Sequence, residues 1–369
     1  MNKLRLAEFR ENMPIIQQKL YFDHAAMSPL HDDVVKRLND FHVSRQINGP
    51  QFQKWWQWVE DTRVLIANWL NTSSRRIAFL GNTSAGINLA AQAFPLKEGD
   101  EVIIPEQEFP SNVYPWIHIE KNRGITLKQV KYTDNCLTAE QIIAQVTPKT
   151  KLISVSWISA HNGNVIDIEK LGRYCKENRI YFVVDAIQGF GVNNLDLSKV
   201  HIDLLVSGFY KWSMGPDGVS FIYVNAEVQN EMKVPWIGWA SMTNRFNYEE
   251  IDYDISMDAR RFETGNMNFS AIAGVQEALQ LLLPFKEEIH DRVSFLTRQL
   301  RAGLSTIPGI QVSSPNNLYS GITLFQGKDK SQFEEENITV NFRSGVRVSP
   351  HFYNLEAEID LFLNKMDMM

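Results

Sequence analysis

From Tyr21 to about Val224 the sequence alternates short apolar runs with longer amphipathic stretches, a pattern that a mostly parallel sheet with crossover helices satisfies and few other folds do. The runs IAFL (77–80), EVIIP (101–105), TLKQVK (126–131), LISVSW (152–157), YFVVD (181–185), DLLVS (203–207) and GVSFIYV (218–224) read as strands. Between them, GINLAAQAF, AEQIIAQV and IEKLGRYCKENR repeat apolar residues at three and four, the period of a helix. Further on, two helices near 270–285 and 287–304 precede short strands near 321–325 and 338–342 and a last helix from about 355. The pattern predicts an α/β fold: a large domain over 15–250, and a small α+β domain over 251–369 together with 1–14. The aperiodic stretch PWIGWASMTNRFNYEEIDYD lies at the boundary.

Length agrees, since 369 residues exceed the roughly 250–300 at which a single core stops growing. The 44% apolar and 22% charged residues exclude disorder, collagen and coiled coil. With 37 basic against 43 acidic residues, a net charge of -6 and no Lys/Arg-rich stretch, no nucleic-acid partner and no membrane partner are expected. The start MNKLRLAEFRENM has no apolar core of a signal peptide, and no run is long enough to span a membrane. Cys136 and Cys175 are too few for a disulfide framework and read as reduced thiols, so a cytoplasmic location is expected. The eight histidines stand singly and no metal is expected; G-x-G-x-x-G after the first strand, G-x-x-x-x-G-K-[ST], H-E-x-x-H and G-x-S-x-G are all missing.

In open α/β sheets ligands bind beyond the carboxyl ends of strands. Asp185 closes YFVVD, and Lys211 follows DLLVS by four residues, so opposite charges reach one sheet edge from successive strands. Alone, such a pair reads as a salt bridge. GNTSAGINLAAQ adds Thr83 and Ser84 between a strand and a helix, where hydroxyls and free N–H groups make an anion site, although an ordinary N-cap has the same appearance. A phosphate site, an amine and a carboxylate on one edge are what pyridoxal phosphate requires.

At this point the sequence resembles the class V aminotransferases of fold type I, which include cysteine desulfurases, kynureninases and isopenicillin N epimerase-like enzymes. YFDHAAMSPL at 21–30 is similar to their opening segment, which places Ala25 at the substrate site, and GNTSAGIN to their phosphate turn. VVDAIQGFG resembles the strand whose Asp and Gln hold the pyridine nitrogen and the 3′ oxygen, here Asp185 and Gln188. SGFYKWSMGPDGVSFIYV resembles the lysine signature and makes Lys211 the imine residue, with Ser207 and Tyr210 near the cofactor. RVSPHFYNLEAEID resembles the C-terminal block whose arginine binds the substrate α-carboxylate, which implies Arg347 together with Arg343. Phe109 in EQEFPSNVYPW stands where relatives carry a ring stacked on the pyridine, usually His; phenylalanine stacks but moves no proton. RFETGNMNFSAI resembles a segment that reaches the neighbouring subunit's phosphate, which implies a homodimer with Asn266 in the shared site; a plain loop before the next helix is the alternative.

The resemblance implies an enzyme that acts on an amino acid through a Lys211 aldimine and a quinonoid. Desulfurases need a nucleophilic Cys on a loop between the late arginines, but NFRSGVRVSPHFYN has only SGV between Arg343 and Arg347. An aminotransferase or isopenicillin N epimerase-like activity is therefore the first expectation. A lyase of the cysteine-desulfurase or selenocysteine-lyase kind is the second, and a non-catalytic interaction protein the third. Trp55, Trp56 and Trp58 begin an amphipathic helix and read as core or interface, or as a substrate wall. Trp157 closes LISVSW where desulfurases carry Asn.

Overall fold

The computed structural model describes residues 3–316 and 320–368. All seven expected strands form one sheet in the spatial order Ile77–Leu80, Ser220–Val224, Leu204–Gly208, Tyr181–Asp185, Thr150–Ser156, Glu101–Pro105, Thr126–Val130. Only Ser220–Val224 runs against the rest, because it pairs antiparallel with both of its neighbours. Two reversals restore the direction, so Leu80 ends at the same edge as Ser156, Asp185 and Gly208. In register, Ser156 lies opposite Asp185, and Asp185 opposite Val206. The sheet thus delivers the turns after residues 80, 105, 156, 185 and 208 to one rim.

The helix Thr83–Ala93 begins at that rim, capped by the Asn82 side chain, which accepts from Ala85 N at 2.9 Å. Gly86 lets it lie against the sheet: a Cβ there would sit 2.3 Å from Val206 Cγ2. Gly86→Ala is accordingly expected to cost about 1–3 kcal/mol by overpacking, measured as a lower urea midpoint.

A second, four-stranded antiparallel sheet has the order Asn341–Phe342, Val346–Val348, Thr323–Gln326, Gln311–Val312. Two of these strands, 311–312 and 346–348, are too short to show a period in sequence. Leu296, Leu300, Phe325, Val348, Ile359 and Phe362 form a core of their own between this sheet and the helices Lys286–Leu304 and Glu356–Met368. The helix Phe269–Leu282 packs instead on Asp32–Asn48 and Phe52–Trp69, so residues assigned in sequence to the small unit share the core of the large one. Trp55 and Trp56 are buried there, against Phe41 and Phe269 and against Trp239 and Phe269 respectively, while Trp58 lies under the Arg37 guanidinium at 4.2 Å. The stretch 236–257 stays irregular, with many apolar side chains exposed.

The segment 20–26 crosses between the two sheets. Leu20–Tyr21 pairs with Ile338–Thr339, Asp23 bridges to Ser349, and Ala25 N donates to Ser349 Oγ at 2.9 Å. His24 is buried between Ser349 O and the Tyr353 hydroxyl, each at 2.7 Å. Burial holds its pKa well below the ordinary value, so it is a neutral ring joining the two chain ends.

Candidate active site

Lys211 leaves the sheet on the turn after Gly208, which is closed by Met214 N donating to Lys211 O at 2.9 Å. The residue is only 7% exposed. Its Nζ stands 5.7 Å from the Tyr210 ring centroid and 5.8 Å from that of Phe109. Burial pulls its pKa down to about 8; Asp185 opposes the shift and Arg347 and Arg343 add to it. Asp185 is buried at the end of its strand, where burial pushes its pKa up to about 6, against the Ile187 N–H at 3.0 Å and the charge of Lys211. An amine that sheds its proton near neutrality beside a buried carboxylate is equipped for imine chemistry.

Thr83 is the first residue of its helix, and its Oγ1 is buried without a hydrogen-bond partner. Ser84 Oγ pairs with Ser111 Oγ at 2.7 Å. A helix N-terminus with an unpaired buried hydroxyl suits a phosphate. Phe109 is 39% exposed, and the Arg343 guanidinium carbon lies 5.8 Å from its ring.

Gln188 is buried with both ends of its amide in use: Nε2 donates to Ala25 O at 2.9 Å, and Oε1 accepts from Trp212 Nε1 at 2.8 Å. It ties the opening segment to the residue after the lysine. Ser207 is buried and donates to Gly208 O at 2.8 Å. Tyr210 accepts from Ser28 N through its carbonyl at 2.8 Å, and burial raises its phenol. Arg347 is fully buried, and Arg343 is exposed on the hairpin turn. Asn266 does not join Lys211. It is exposed and borders a cavity of about 700 Å³ lined by Phe52, Trp56, Trp239, Arg245 and Tyr248, together with a second of about 300 Å³ that reaches Gly81.

Glu108 went unnoticed in sequence. Ser156 donates to it twice, through N at 2.6 Å and Oγ at 2.5 Å, which pins the Phe109 loop to the strand end opposite Asp185. Burial, aided by the charge of Asp185, pushes its carboxyl up to about 7. Its one sequence signal is adjacency to Phe109. Trp157 is buried, and its ring lies so close to Gly189 that a Cβ there would be 2.1 Å from it.

Lysine, carboxylate, helix end and exposed ring on one rim of this sheet define a fold type I pyridoxal-phosphate enzyme. Solved structures agree on the fold: a cysteine desulfurase from Thermococcus onnurineus has a TM-score of 0.89 at 23% identity over 98% of this chain and 97% of that one. A cystine C–S lyase bound to cysteine persulfide has a TM-score of 0.90 at 22% identity, over 96% and 99%. The sequence model of the aminotransferase class-V family matches residues 20–349, and the chain belongs to that family. Among its relatives, a probable cysteine desulfurase of Borreliella burgdorferi is 29% identical over 96% of this chain and 94% of its own length. One from Methanothermobacter thermautotrophicus is 25% identical over 97% and 96%.

Proposed function

We propose that this enzyme acts on an amino acid at Cα, as an aminotransferase or epimerase, and forms no protein persulfide. The observation that carries this reading is the hairpin between the two arginines. Arg343 N donates to Gly345 O at 3.0 Å and the strand resumes at Val346, so the connection is a tight turn without a thiol. Cys175 is buried, its thiol raised by burial, and borders a cavity with Lys176 and Tyr181 at the opposite edge of the sheet. Cys136 closes a turn with Thr133. Neither cysteine is paired, in keeping with a cytoplasmic protein.

The site fits the cofactor. Thr83, Ser84 and the N–H groups of their helix would hold the phosphate, Phe109 the ring face, Asp185 the pyridine nitrogen and Lys211 the aldehyde carbon; the unpaired Thr83 hydroxyl and the buried Lys211 amine are the groups such a ligand would satisfy. Pyridoxal phosphate supplies an electron sink for the pair left on Cα. Asp185 would keep a proton on the pyridine nitrogen. The Lys211 amine would take the Cα proton, and Phe109 offers no second acid or base beside it. We extend the reading to a homodimer: Tyr248 and Trp236 line the two cavities that Asn266 borders, and with Ile237, Ile251 and Tyr253 of the same stretch they are exposed, apolar surface of the kind a second copy covers.

A second reading is carbon–sulfur lyase chemistry, favoured by relatives named as probable cysteine desulfurases that match over nearly their whole length. Here the sulfur would leave with the substrate's own β-substituent, without a protein thiol. The two readings separate when the holoenzyme is incubated in D2O with L-cysteine, L-cystine and a panel of other amino acids. Deuterium at Cα or a 2-oxo acid, without sulfide, supports the first reading, and sulfide with pyruvate supports the second. Cys136→Ser with Cys175→Ser is expected to leave either activity unchanged. Loss of turnover in a folded double variant would restore a thiol mechanism.

A further inference from the structure

The turn that carries Lys211 presents four successive backbone carbonyls, and each has an identified donor. Phe209 O accepts from Gly215 N at 2.8 Å and from Ser213 Oγ at 2.9 Å, and Lys211 O from Met214 N at 2.9 Å, so these two are closed within the turn. The other two are held by distant parts of the chain. Tyr210 O accepts from Ser28 N at 2.8 Å, on the opening segment, and Trp212 O from His351 Nε2 at 2.8 Å, just beyond the last strand of the small sheet. Met214, in the same turn, has φ 53°, a left-handed conformation that a residue other than glycine keeps only when its surroundings impose it. The lysine turn is therefore a shape held from outside as well as from within.

The contacts of His351 assign its proton. Nδ1 accepts from Phe352 N at 2.8 Å, which only a lone pair can do, so the ring hydrogen is on Nε2 and faces a carbonyl that can only accept. The residue has no exposed surface, and burial holds its pKa down at about 4, so the ring is a neutral donor near neutral pH. Its neighbours are rings as well, with Trp212 at 5.5 Å, His24 at 5.2 Å and Tyr353 at 5.8 Å between centroids. Trp212 in turn has no room to take up slack. It is 1% exposed and its Nε1 donates to Gln188 Oε1 at 2.8 Å, while a Cβ on Gly321 would sit 2.4 Å from the end of its indole and one on Gly191 would sit 2.7 Å from its carbonyl carbon. With the indole fixed, movement of the Trp212 carbonyl falls on the adjoining residue, Lys211.

We propose that His351 is a positioning residue for Lys211, its Nε2–H holding the Trp212 carbonyl so that the amine stays enclosed at the rim of the large sheet. The inference rests on the reading of Lys211 as the residue that bonds the cofactor. It gives the C-terminal block a task apart from its arginines, and it joins the lysine to the small sheet through one hydrogen bond.

The amine itself reports the clamp in the cofactor-free protein. Asp185, Asp23, Arg343 and Arg347 are the charges that act on it, with the Tyr210 phenol beside it, and a substitution at His351 removes none of them. Competitive acetylation with acetic anhydride between about pH 6 and 11, with Lys211 quantified by mass spectrometry, gives its titration midpoint. A wild-type midpoint of about 8 is expected. His351→Phe keeps a ring and removes the N–H, and the midpoint should rise by about one unit or more toward the ordinary lysine value as the amine leaves its burial. His351→Gln, an uncharged donor of similar reach, should return it to near the wild-type value. A folded His351→Phe with an unmoved midpoint, or a His351→Gln midpoint displaced as far as that of His351→Phe, overturns the assignment. If His351→Phe does not fold, nuclear magnetic resonance of the wild-type protein with isotope-labelled histidine decides: a His351 ring protonated at Nε2 and shielded from exchange supports the clamp, and one protonated at Nδ1 overturns it. Borohydride reduction in the presence of pyridoxal phosphate tests the reading beneath, because fixation on a lysine other than Lys211 refutes that reading and leaves the clamp standing.

Discussion

Lys211→Met is expected to abolish the visible absorption of a lysine-linked cofactor and to cut turnover on any accepted amino acid by about 10²–10⁴-fold through lost proton transfer alone. The same substitution should make the cofactor-free protein more stable at pH 7. Burial lowers the Lys211 pKa from the ordinary 10.5 to about 8, with Asp185 only partly compensating. Below pH 8 the amine is protonated in both the folded and the unfolded chain, so the folded state bears the whole cost of the buried charge, on the order of 3 kcal/mol. Between about pH 8 and 10.5 the folded protein has released its proton while the unfolded chain still holds one, and the cost fades. Urea melts of the two cofactor-free proteins should therefore differ most near neutrality, with the variant higher, and converge as the pH approaches 10.5. Curves that stay parallel across this range would show that the amine is not strained by burial. Methionine keeps most of the side-chain volume, so no cavity obscures the comparison. The strain is useful to the enzyme, since it keeps the amine ready to lose its proton close to neutral pH.

What could be read from the sequence follows from how local each signal is. YFVVD and EVIIP are legible because a strand covered on both faces is apolar throughout, and its ends are marked by the polar residues that the rim requires. Val346–Val348 and Gln311–Val312 show no period because two or three residues cannot contain one; they are strands through their partners in the small sheet. The site divides in the same way. Lys211, Asp185 and Thr83 follow strands directly, so topology alone carries them to one rim. The roles of Gln188 and Arg347 depend on partners 163 and 324 residues away, Ala25 and Asp23, which no local pattern announces. Glu108 was hidden for another reason. A glutamate in a loop after a strand reads as solvated, and only the pairing of Ser156 beside Asp185 shows that its carboxyl is enclosed. Asn266 illustrates a third limit, because its resemblance concerns a neighbouring subunit and its position in one chain is a cavity wall away from Lys211.

Glu263→Ala is expected to destabilise the protein by about 3–5 kcal/mol, as much as any single change away from the lysine. Glu263 has no exposed side-chain surface and faces Arg63, which is 1% exposed, at 2.7 Å. One carboxylate oxygen also accepts from Phe79 N in the edge strand at 2.9 Å, and the other from Arg63 Nη2 at 3.2 Å. Removing the carboxylate would strand a buried guanidinium, which keeps only Glu60 and Ile77 O, and the buried Phe79 N–H. Glu263→Gln should cost less, because an amide oxygen can still accept from Phe79 N. Arg63→Met combined with Glu263→Leu should recover much of the loss, since replacing both buried charges by apolar groups removes the desolvation cost together with the attraction. Urea midpoints for Arg63→Met, Glu263→Leu and the double variant complete the cycle, and additive losses would mean that the pair does not couple. The consequence reaches beyond stability. Glu263 stands three residues before Asn266 and ties that segment to the helix Phe52–Trp69 and the strand Ile77–Leu80, whose end leads to Thr83. A loosened Glu263 would release the stretch proposed to serve a partner subunit, so the proposed dimer should dissociate at lower urea than the subunit unfolds. Gel filtration at sub-denaturing urea would detect smaller particles in Glu263→Gln before its circular dichroism changes, and a single coincident transition would disconnect the buried pair from assembly.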